Sequence, residues 1–272
     1  MKRKIIIPGK EFVKKVLEGE RDFKNIKLEP NFDFHSCEGF SDMQRYLKNE
    51  NLYENPIILN GSELIRIKAQ ELYIPFTKAR NVVFDHVDLS NAYIECCDLT
   101  SAEFRGSILD GSHLRGSNMK NATLLYTSAN NTYFEETVLK DSCIRGCKMK
   151  RANFERSDLE SSDFRNADLI KAKFEEANLK HACFKHCYLE RVDFWSSNMK
   201  GGRFISCDMN DTNFFKTNIE RACFIDSDMR NVTGLASSIN LRKAEFENIK
   251  VDSDTAKIIE KHIPEAYLIV ME

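Results

Sequence analysis

The stretch ANFERSDLESSDFRNADLIKAKFEEANL, residues 152–179, repeats a pattern of five residues. Each unit begins with a small residue, usually continues with Asp or Asn, and places Phe or Leu third. With Phe154 taken as a centre, the register continues at every fifth position from Phe84 to Met229 without an insertion. It contains 30 consecutive centres, of which only Ala129 is small. A period of five fits neither the 3.6-residue period of a helix nor the two-residue alternation of a long strand.

The repeat therefore predicts a chain that turns once in each unit. The residue two positions before each centre is small or β-branched, and the remaining three positions are mostly polar. Alternate residues of an extended segment point the same way, so the centre and this small residue both face inward. Burial of each large centre stabilises the fold by about 1.5–3 kcal/mol, which offsets the entropy lost when the chain is ordered. The small residue fits the limited room of a narrow core.

The phenylalanines show how many units make one coil. Every Phe at a repeat centre has a number ending in 4, so Phe recurs at multiples of ten residues with mostly Leu or Met between. A coil of twenty residues would stack Phe on two opposite sides, whereas a coil of fifteen residues would mix Phe and Leu in every column. The sequence therefore predicts four units per coil. The centres are Phe84, Phe104, Phe134, Phe154, Phe164, Phe174, Phe184, Phe194, Phe204, Phe214 and Phe224.

The pattern, close to A(D/N)Lxx over more than half of the chain, resembles that of the pentapeptide-repeat family. The resemblance implies an all-β solenoid, a right-handed quadrilateral (four-sided) parallel β-helix with four pentapeptides per coil. Weaker units extend the register upstream to Leu59, which gives up to 35 units. Solenoids need caps at their exposed ends, and we expect helical caps at both ends here.

Three regions follow from this register. Residues 1–56 are predicted to be an N-terminal cap with short helices at 9–20 and 38–50 and an initial strand pair at 22–28. Residues 57–235 form the β-helix. Residues 236–272 form a C-terminal cap, in which AEFENIKV (244–251) resumes the repeat two residues out of phase after Gly234, and SDTAKIIEKHI (253–263) is an N-capped helix. The apolar AYLIV (266–270) either packs on the last coil or makes a homodimer contact.

Composition restricts the function classes. The net charge is −2, from 40 basic and 42 acidic residues. The overall charge therefore favours neither binding to nucleic acid nor mimicry of an acidic polymer. No secretory signal or membrane span is recognised, and the nine cysteines are expected to be reduced. We therefore expect a cytoplasmic protein without a membrane partner.

No catalytic motif is recognised in the sequence. It lacks a phosphate-binding glycine loop, a CxxC pair and an HExxH motif. Cys143 and Cys147, like Cys183 and Cys187, place one thiol outward and one inward, so neither pair converges on a metal. We expect no catalytic residue, no metal and no cofactor, and hence a protein that is not an enzyme.

The candidate site lies on the face centred on Phe134, Phe154 and Phe174. One position after each centre the twenty-residue coil stacks three glutamates and then two aromatics, and two further glutamates widen the column. These residues define the acidic–aromatic strip: Glu135, Glu136, Glu155, Glu175, Glu176, Trp195 and Phe215. The strip is either a partner-binding surface with an apolar anchor beside carboxylates, or a solvated surface whose aromatics shield the β face.

The leading hypothesis is a non-enzymatic scaffold that binds an unidentified protein partner. The family resemblance implies an alternative, since some members imitate duplex DNA, bind DNA gyrase and protect it from quinolones. Residues 59–235 contain 25 acidic and 24 basic side chains, which argues against DNA mimicry. A third hypothesis, a nucleic-acid binder, uses a mostly basic column but is disfavoured because the face lacks net positive charge and exposed aromatics. That column is Lys120, Lys140, Glu160, Lys180, Lys200 and Glu220.

Overall fold

The computed structural model describes residues 4–271. The basic residues at positions 2 and 3 and the last residue, 272, which belong to the predicted caps, lie outside the described part. Residues 57–233 form a solenoid in which short parallel β-bridges join one residue of each pentapeptide to the residue twenty positions later, as between Asn153 and Lys173 or Asp158 and Asn178. The predicted twenty-residue coil is therefore confirmed.

A left-handed residue marks the corner of every pentapeptide. From Gly61 to Asn231 each fifth residue, 35 in all, has a φ between 51° and 68°. Its backbone N–H donates to the following coil, as from Arg156 to the carbonyl of Glu175 and from Glu176 to that of Trp195, both at 2.9 Å. A left-handed conformation costs a residue other than glycine about 1–2 kcal/mol. The bonds between coils and the buried core offset this cost, and the corner therefore admits Glu, Lys and Arg as well as Gly and Asn.

The centres pack in columns, as the sequence predicts. Phe154 stacks on Phe134 and Phe174 with ring centroids 4.9 and 4.8 Å apart and nearly parallel planes. The two Phe columns meet edge to face across the core, as Phe154 does with Phe164 at 6.1 Å and 89°. Aromatic rings favour offset parallel stacking and edge-to-face contact over a direct face-to-face sandwich. The core is thus continuous along the solenoid.

Most of the buried hydroxyls beside this core have backbone partners, whereas those of Ser142 and Ser197 have none within residues 4–271. Ser107 Oγ donates to the carbonyl of Phe84 at 2.7 Å, and Thr132 Oγ1 donates to that of Leu109 at the same distance. A buried hydroxyl without a partner would destabilise the fold. Ser and Thr can therefore replace Ala at the small inward position, because either the previous coil or the carbonyl three residues earlier, as for Thr137 and Phe134 at 2.6 Å, supplies an acceptor.

Longer strands occur in two parallel sheets, one at each end of the solenoid. The first contains β1 (Ile5–Ile7), β2 (Ile26–Leu28), β3 (Glu63–Ile65) and β4 (Val83–Asp85). The second contains β5 (Cys183–Lys185), β6 (Arg203–Ile205), β7 (Cys223–Ile225), β8 (Glu245–Val251) and β9 (Tyr267–Val270). Every pairing is parallel, as a solenoid requires.

Two helices lie at the N-terminal end, where the sequence predicts them. They are α1 (Gly9–Leu17) and α2 (Phe40–Asn49), and each buries one apolar side. The predicted strand pair at 22–28 stacks on the solenoid, since Asp22 bridges to Ile58 and Lys27 pairs with Glu63. α2 therefore belongs to an excursion of the chain between two stacked coils.

The C-terminal end begins at a glycine that no other residue can replace without a shift of the neighbouring backbone. A Cβ at Gly234 (φ 71°) would lie 2.3 Å from the backbone nitrogen of Phe215. Two short 3-10 helices follow (Leu235–Ser237 and Leu241–Lys243), and they lengthen the coil so that Phe246 stacks on Phe224 at 5.1 Å. This is the predicted shift of two residues. β9 pairs with β8, so the segment 266–270 packs on the last coil, although Tyr267 and Val270 stay exposed.

Helix α3 (Ser253–His262) begins at Asp252, whose carboxylate caps it. Oδ1 accepts from the N–H groups of Asp254 and Thr255 at 3.0 and 2.9 Å, and Oδ2 accepts from Thr255 Oγ1 and from the N–H of Asn231, each at 2.7 Å. Partial burial by itself would raise the pKa of Asp252. The hydrogen bonds from Thr255 and Asn231 outweigh it and lower the pKa to about 2.

Replacement of one stacked ring tests the core. Phe174→Ala is expected to lower the free energy of unfolding by about 3–5 kcal/mol because it leaves a cavity between two Phe columns. Chemical denaturation followed by circular dichroism measures this. Tyr188→Ala, at a side chain 58% exposed, should change it by less than about 1 kcal/mol. Equal losses in the two variants would contradict the stacked core.

Replacement of the α3 cap tests the assignment of Asp252. Asp252→Ala should lower stability by about 0.5–2 kcal/mol at neutral pH. Because the folded pKa lies below the ordinary value, this contribution is complete above about pH 4 and is lost as the pH falls towards 2. Denaturation at several pH values should therefore show the wild type and the variant converging in acid. Asp254→Ala removes an 88% exposed side chain and should have a smaller effect.

Candidate protein-interaction face

The structure places five residues of the acidic–aromatic strip in one column, and the corner residues Glu136 and Glu176 lie directly beside it. Backbone N–H groups of Glu136, Arg156, Glu176 and Ser196 donate to the carbonyls of the next coil at 2.9 Å each. The acceptors are Glu155, Glu175, Trp195 and Phe215. Successive strip residues are therefore fixed on neighbouring coils by the backbone, independently of their side chains.

Arginines neutralise the first half of the strip. Glu136 Oε1 lies 2.9 Å from Arg115 and 3.3 Å from Arg156, which also lies 3.3 Å from Glu155. Glu135 accepts a hydrogen bond from Asn153 Nδ2 at 2.7 Å. Its other carboxylate oxygen is buried and has no hydrogen-bond partner within residues 4–271. Charge in this half is thus largely compensated.

The second half of the strip carries the uncompensated negative charge. Within the described part of the chain, neither Glu175 nor Glu176 has a basic group within 4.0 Å. Burial raises the pKa of Glu175, and the charges of Asp193, Glu155 and Glu176 raise it further, while Lys173 opposes them. These two carboxylates lie one coil before Trp195 and two coils before Phe215.

The aromatic residues of the strip differ in exposure. Both aromatics would be exposed if they served as an apolar anchor; Phe215 is 39% exposed, but Trp195 is half-buried. Glu175 and Phe215 occupy the same position on the coils before and after it. Lys216 Nζ lies 5.5 Å from the centroid of the Phe215 ring. Part of the indole and part of the phenyl ring are therefore accessible at the surface.

The backbone beside both aromatics is held by polar side chains. The Trp195 N–H donates to Asp193 Oδ1 and the Phe215 N–H donates to Asn213 Oδ1, each at 2.9 Å. Asn213 Nδ2 in turn donates to Asp193 Oδ1 at 2.9 Å. These bonds fix the backbone at both aromatic positions.

A second concave surface, which the sequence analysis did not identify, lies between α2 and the solenoid. It is an open cleft of about 740 Å³ beside a ladder of stacked aromatic side chains. In the ladder Tyr93 and Tyr133 lie 4.4 and 4.6 Å from His113, ring centroid to centroid. The residues that line the cleft are His35, Phe40, Ser41, Gln44, Arg45, Lys48, Glu71, Asn91, Tyr93 and His113.

Gln44 attaches α2 to this surface. Its Nε2 donates to the carbonyl of Glu71 at 2.7 Å, and its Oε1 accepts from the N–H of Tyr73 at 3.1 Å. The spacing of Tyr73, Tyr93, His113 and Tyr133 by twenty residues is a sequence signal for the ladder. The position of α2 has no such signal, because the excursion that contains it lies outside the repeat register.

The basic column considered for nucleic-acid binding is interrupted by ion pairs. Lys140 lies 3.2 Å from Glu160, and Lys200 lies 2.9 Å from Glu220. Every third member of the column is therefore a glutamate paired with a lysine, and the column is not a continuous positive ridge.

The thiols point as the sequence predicts. Cys143 and Cys183 are half-buried, whereas Cys147 and Cys187 are buried, and all nine cysteines are free. Residues 4–271 contain no cluster of three or more His, Cys, Asp or Glu side chains that could hold a metal ion. Among the helices of that range, none has the length and apolar character that a membrane crossing requires.

Known structures share the fold. HetL, a pentapeptide repeat protein involved in heterocyst differentiation regulation from Nostoc sp. strain PCC 7120, is similar with a TM-score of 0.55 and 16% identity. The match covers 89% of this chain and 96% of HetL. A trypsin-treated form of QnrB1, a plasmid-mediated fluoroquinolone resistance protein, has a TM-score of 0.50 and 18% identity, over 74% of this chain and 99% of QnrB1. At these identities the likeness concerns the fold alone.

Sequence comparison gives the family. No curated protein matches the chain significantly. The family model described as a pentapeptide repeat region matches residues 117–194. The model of pentapeptide repeats in eight copies matches 83–121, 97–132 and 196–231. Together the matches extend over more than half of the sequence, and the repeat continues in the coils on either side. The chain therefore belongs to the pentapeptide-repeat family.

Proposed function

We propose that this protein is a non-enzymatic scaffold that binds a protein partner through the acidic–aromatic strip. The observation that carries the proposal is the second half of the strip, where two unpaired carboxylates, Glu175 and Glu176, lie one coil before Trp195 and two coils before Phe215. Partly exposed aromatic side chains are the commonest anchors of protein interfaces. Adjacent free carboxylates add orientation and selectivity.

The partner's chemistry follows from the same residues. Glu175 and Glu176 would pair with arginine or lysine side chains, and an apolar group of the partner would contact the indole and the phenyl ring. Arg115 and Arg156 already occupy the carboxylates of the first half of the strip. We therefore propose that binding energy is concentrated on the coils from residue 175 to residue 215.

The architecture supports the proposed function as a protein-binding scaffold. The solenoid is taken as a right-handed quadrilateral β-helix over residues 57–235, with residues 1–56 and 236–272 as helical caps. Backbone bonds between coils present the strip without rearrangement, which lowers the entropic cost of binding. A cytoplasmic location belongs to the same proposal and is supported by the nine free thiols. Exposed Tyr267 and Val270 on β9 support a homodimer contact there.

Affinity capture tests the strip. The tagged full-length protein and a Trp195→Ala/Phe215→Ala variant would be compared by quantitative mass spectrometry of the captured proteins. We expect at least one partner of the wild type to be depleted about tenfold or more with the variant, as removal of two anchors implies. A Glu175→Gln/Glu176→Gln variant should deplete the same partner.

A matched control uses exposed aromatics on other columns. Tyr126→Ala/Tyr188→Ala removes two rings that are 72% and 58% exposed, outside the strip. Circular dichroism and thermal melts must show that all variants stay folded. If every captured partner binds the strip variant as well as the control, the strip is not the interface and the proposal fails.

The alternative proposal is DNA mimicry directed at DNA gyrase or a related topoisomerase. It requires a strongly acidic surface, because the phosphate backbone dominates duplex recognition. Residues 59–235 carry nearly equal numbers of acids and bases, and arginines compensate half of the strip. No charge feature of the structure favours this alternative.

A supercoiling assay separates the two functions. Under the scaffold proposal, we expect micromolar protein neither to inhibit gyrase nor to protect it from a quinolone. A DNA-mimicking member of the family serves as the positive control. Inhibition or protection by this protein, at concentrations similar to those of the control, would replace the scaffold proposal with mimicry.

A further inference from the structure

A second charged surface lies on the solenoid corner that precedes the Phe154 and Phe174 units, and its charge is opposite to that of the strip. We name Lys148, Lys150, Arg151 and Lys171 the basic corner. Arg151 and Lys171 are left-handed residues of successive coils, with φ of 58° and 62°. With Asn130, Asn131, Asp168 and Ile170, these four residues line a depression of about 510 Å³.

The positive charge of this depression is mostly uncompensated. Four cations face a single carboxylate, Asp168, and its Oδ2 pairs with Lys150 Nζ at 3.2 Å. Within residues 4–271, Lys148, Arg151 and Lys171 have no carboxylate within 4.0 Å. All four basic side chains are exposed, so a ligand could reach each of them.

The free hydrogen-bond donors of the depression are the charged side-chain ends. The N–H of Arg151 donates to the carbonyl of Ile170 at 3.0 Å, and that of Lys171 donates to Glu190 at 2.9 Å. Asn130 Oδ1 accepts from the N–H of Lys150 at 3.0 Å, while its Nδ2 donates to Asp110. The hydrogen bonds between coils thus use the backbone N–H donors. The charged side-chain groups remain available and favour a negatively charged ligand.

The length of the basic corner selects the kind of anion. Along the solenoid axis, Asp110 lies before the basic corner, and Glu190 and Asp211 lie after it. Arg191 pairs with Glu190 at 3.5 Å and with Asp211 at 3.4 Å. The positive stretch therefore covers two or three coils, about 10–14 Å at ~4.8 Å per coil. About three or four residues of extended peptide span that distance. A nucleic-acid strand that continued along the corner would meet the flanking carboxylates.

We propose that the basic corner is a second binding site, which takes a short acidic segment of a protein partner. Acidic side chains of the segment pair with Arg151, Lys171 and Lys148, and the half-buried Ile170 contacts their aliphatic stems. The site shares no residue with the acidic–aromatic strip. It can therefore be present or absent independently of the function proposed for the strip.

Fluorescence anisotropy tests the proposal with a labelled peptide of about six glutamates and the full-length chain. We expect saturable binding that weakens at least about fivefold between about 0.05 M and 0.5 M NaCl, because the ion pairs are exposed to solvent and screened. Arg151→Gln/Lys171→Gln should weaken it at least about fivefold at low salt. Trp195→Ala/Phe215→Ala should leave peptide binding unchanged, which separates this site from the strip.

A matched control is Arg66→Gln/Arg221→Gln, which removes two exposed left-handed corner cations on distant coils and changes the net charge equally. It should bind the peptide within about twofold of the wild type, since both charges lie beyond the ~10 Å screening distance. The absence of saturable binding, or equal losses in the two double variants, would overturn the proposal. Tighter binding of single-stranded DNA with the same number of charges, lost in Arg151→Gln/Lys171→Gln, would assign the corner to nucleic acid instead.

Discussion

A backbone hydrogen bond from the left-handed corner residue to the following coil is the interaction on which the rest of this structure depends. It recurs at nearly every fifth residue, and bonds such as that from the Phe154 N–H to the Lys173 carbonyl join the same coils between the corners. Residues such as Arg156 and Glu176 adopt the corner conformation although it is unfavourable for them. Side chains twenty positions apart consequently lie on neighbouring coils whatever their chemistry.

This constraint separates the requirements of the core from those of the surface. Inside, Phe154 and Phe174 stack in parallel and contact the second Phe column edge to face, which leaves little freedom for substitution. Outside, the same twenty-residue spacing places Glu175 beside Trp195 on one column and Arg151 beside Lys171 on another. Two surfaces of opposite charge can therefore occupy opposite edges of one face without altering the packing beneath them.

The sequence predicts the parts of the molecule that repeat. The period gives the coil, the Phe positions give the two aromatic columns, and the register gives every member of the acidic–aromatic strip. It does not give the exposure of Trp195, which depends on neighbours above and below, or the pairing of Arg115 with Glu136, which depends on side-chain direction. The corner φ values and the α2 cleft also escape it, because Glu and Lys do not signal left-handed backbone and the α2 excursion interrupts the repeat.

The alternation of Phe and Leu columns determines which changes in length the solenoid tolerates. Removal of five residues would rotate every later coil by one side, so rings would face Leu columns and the strip aromatics would leave the glutamate column. Removal of ten residues would restore the ring stacks but transfer the surface to the opposite side. Only whole coils of twenty preserve both. Duplication or loss of genetic material in this chain is therefore constrained to a unit four times longer than its visible repeat.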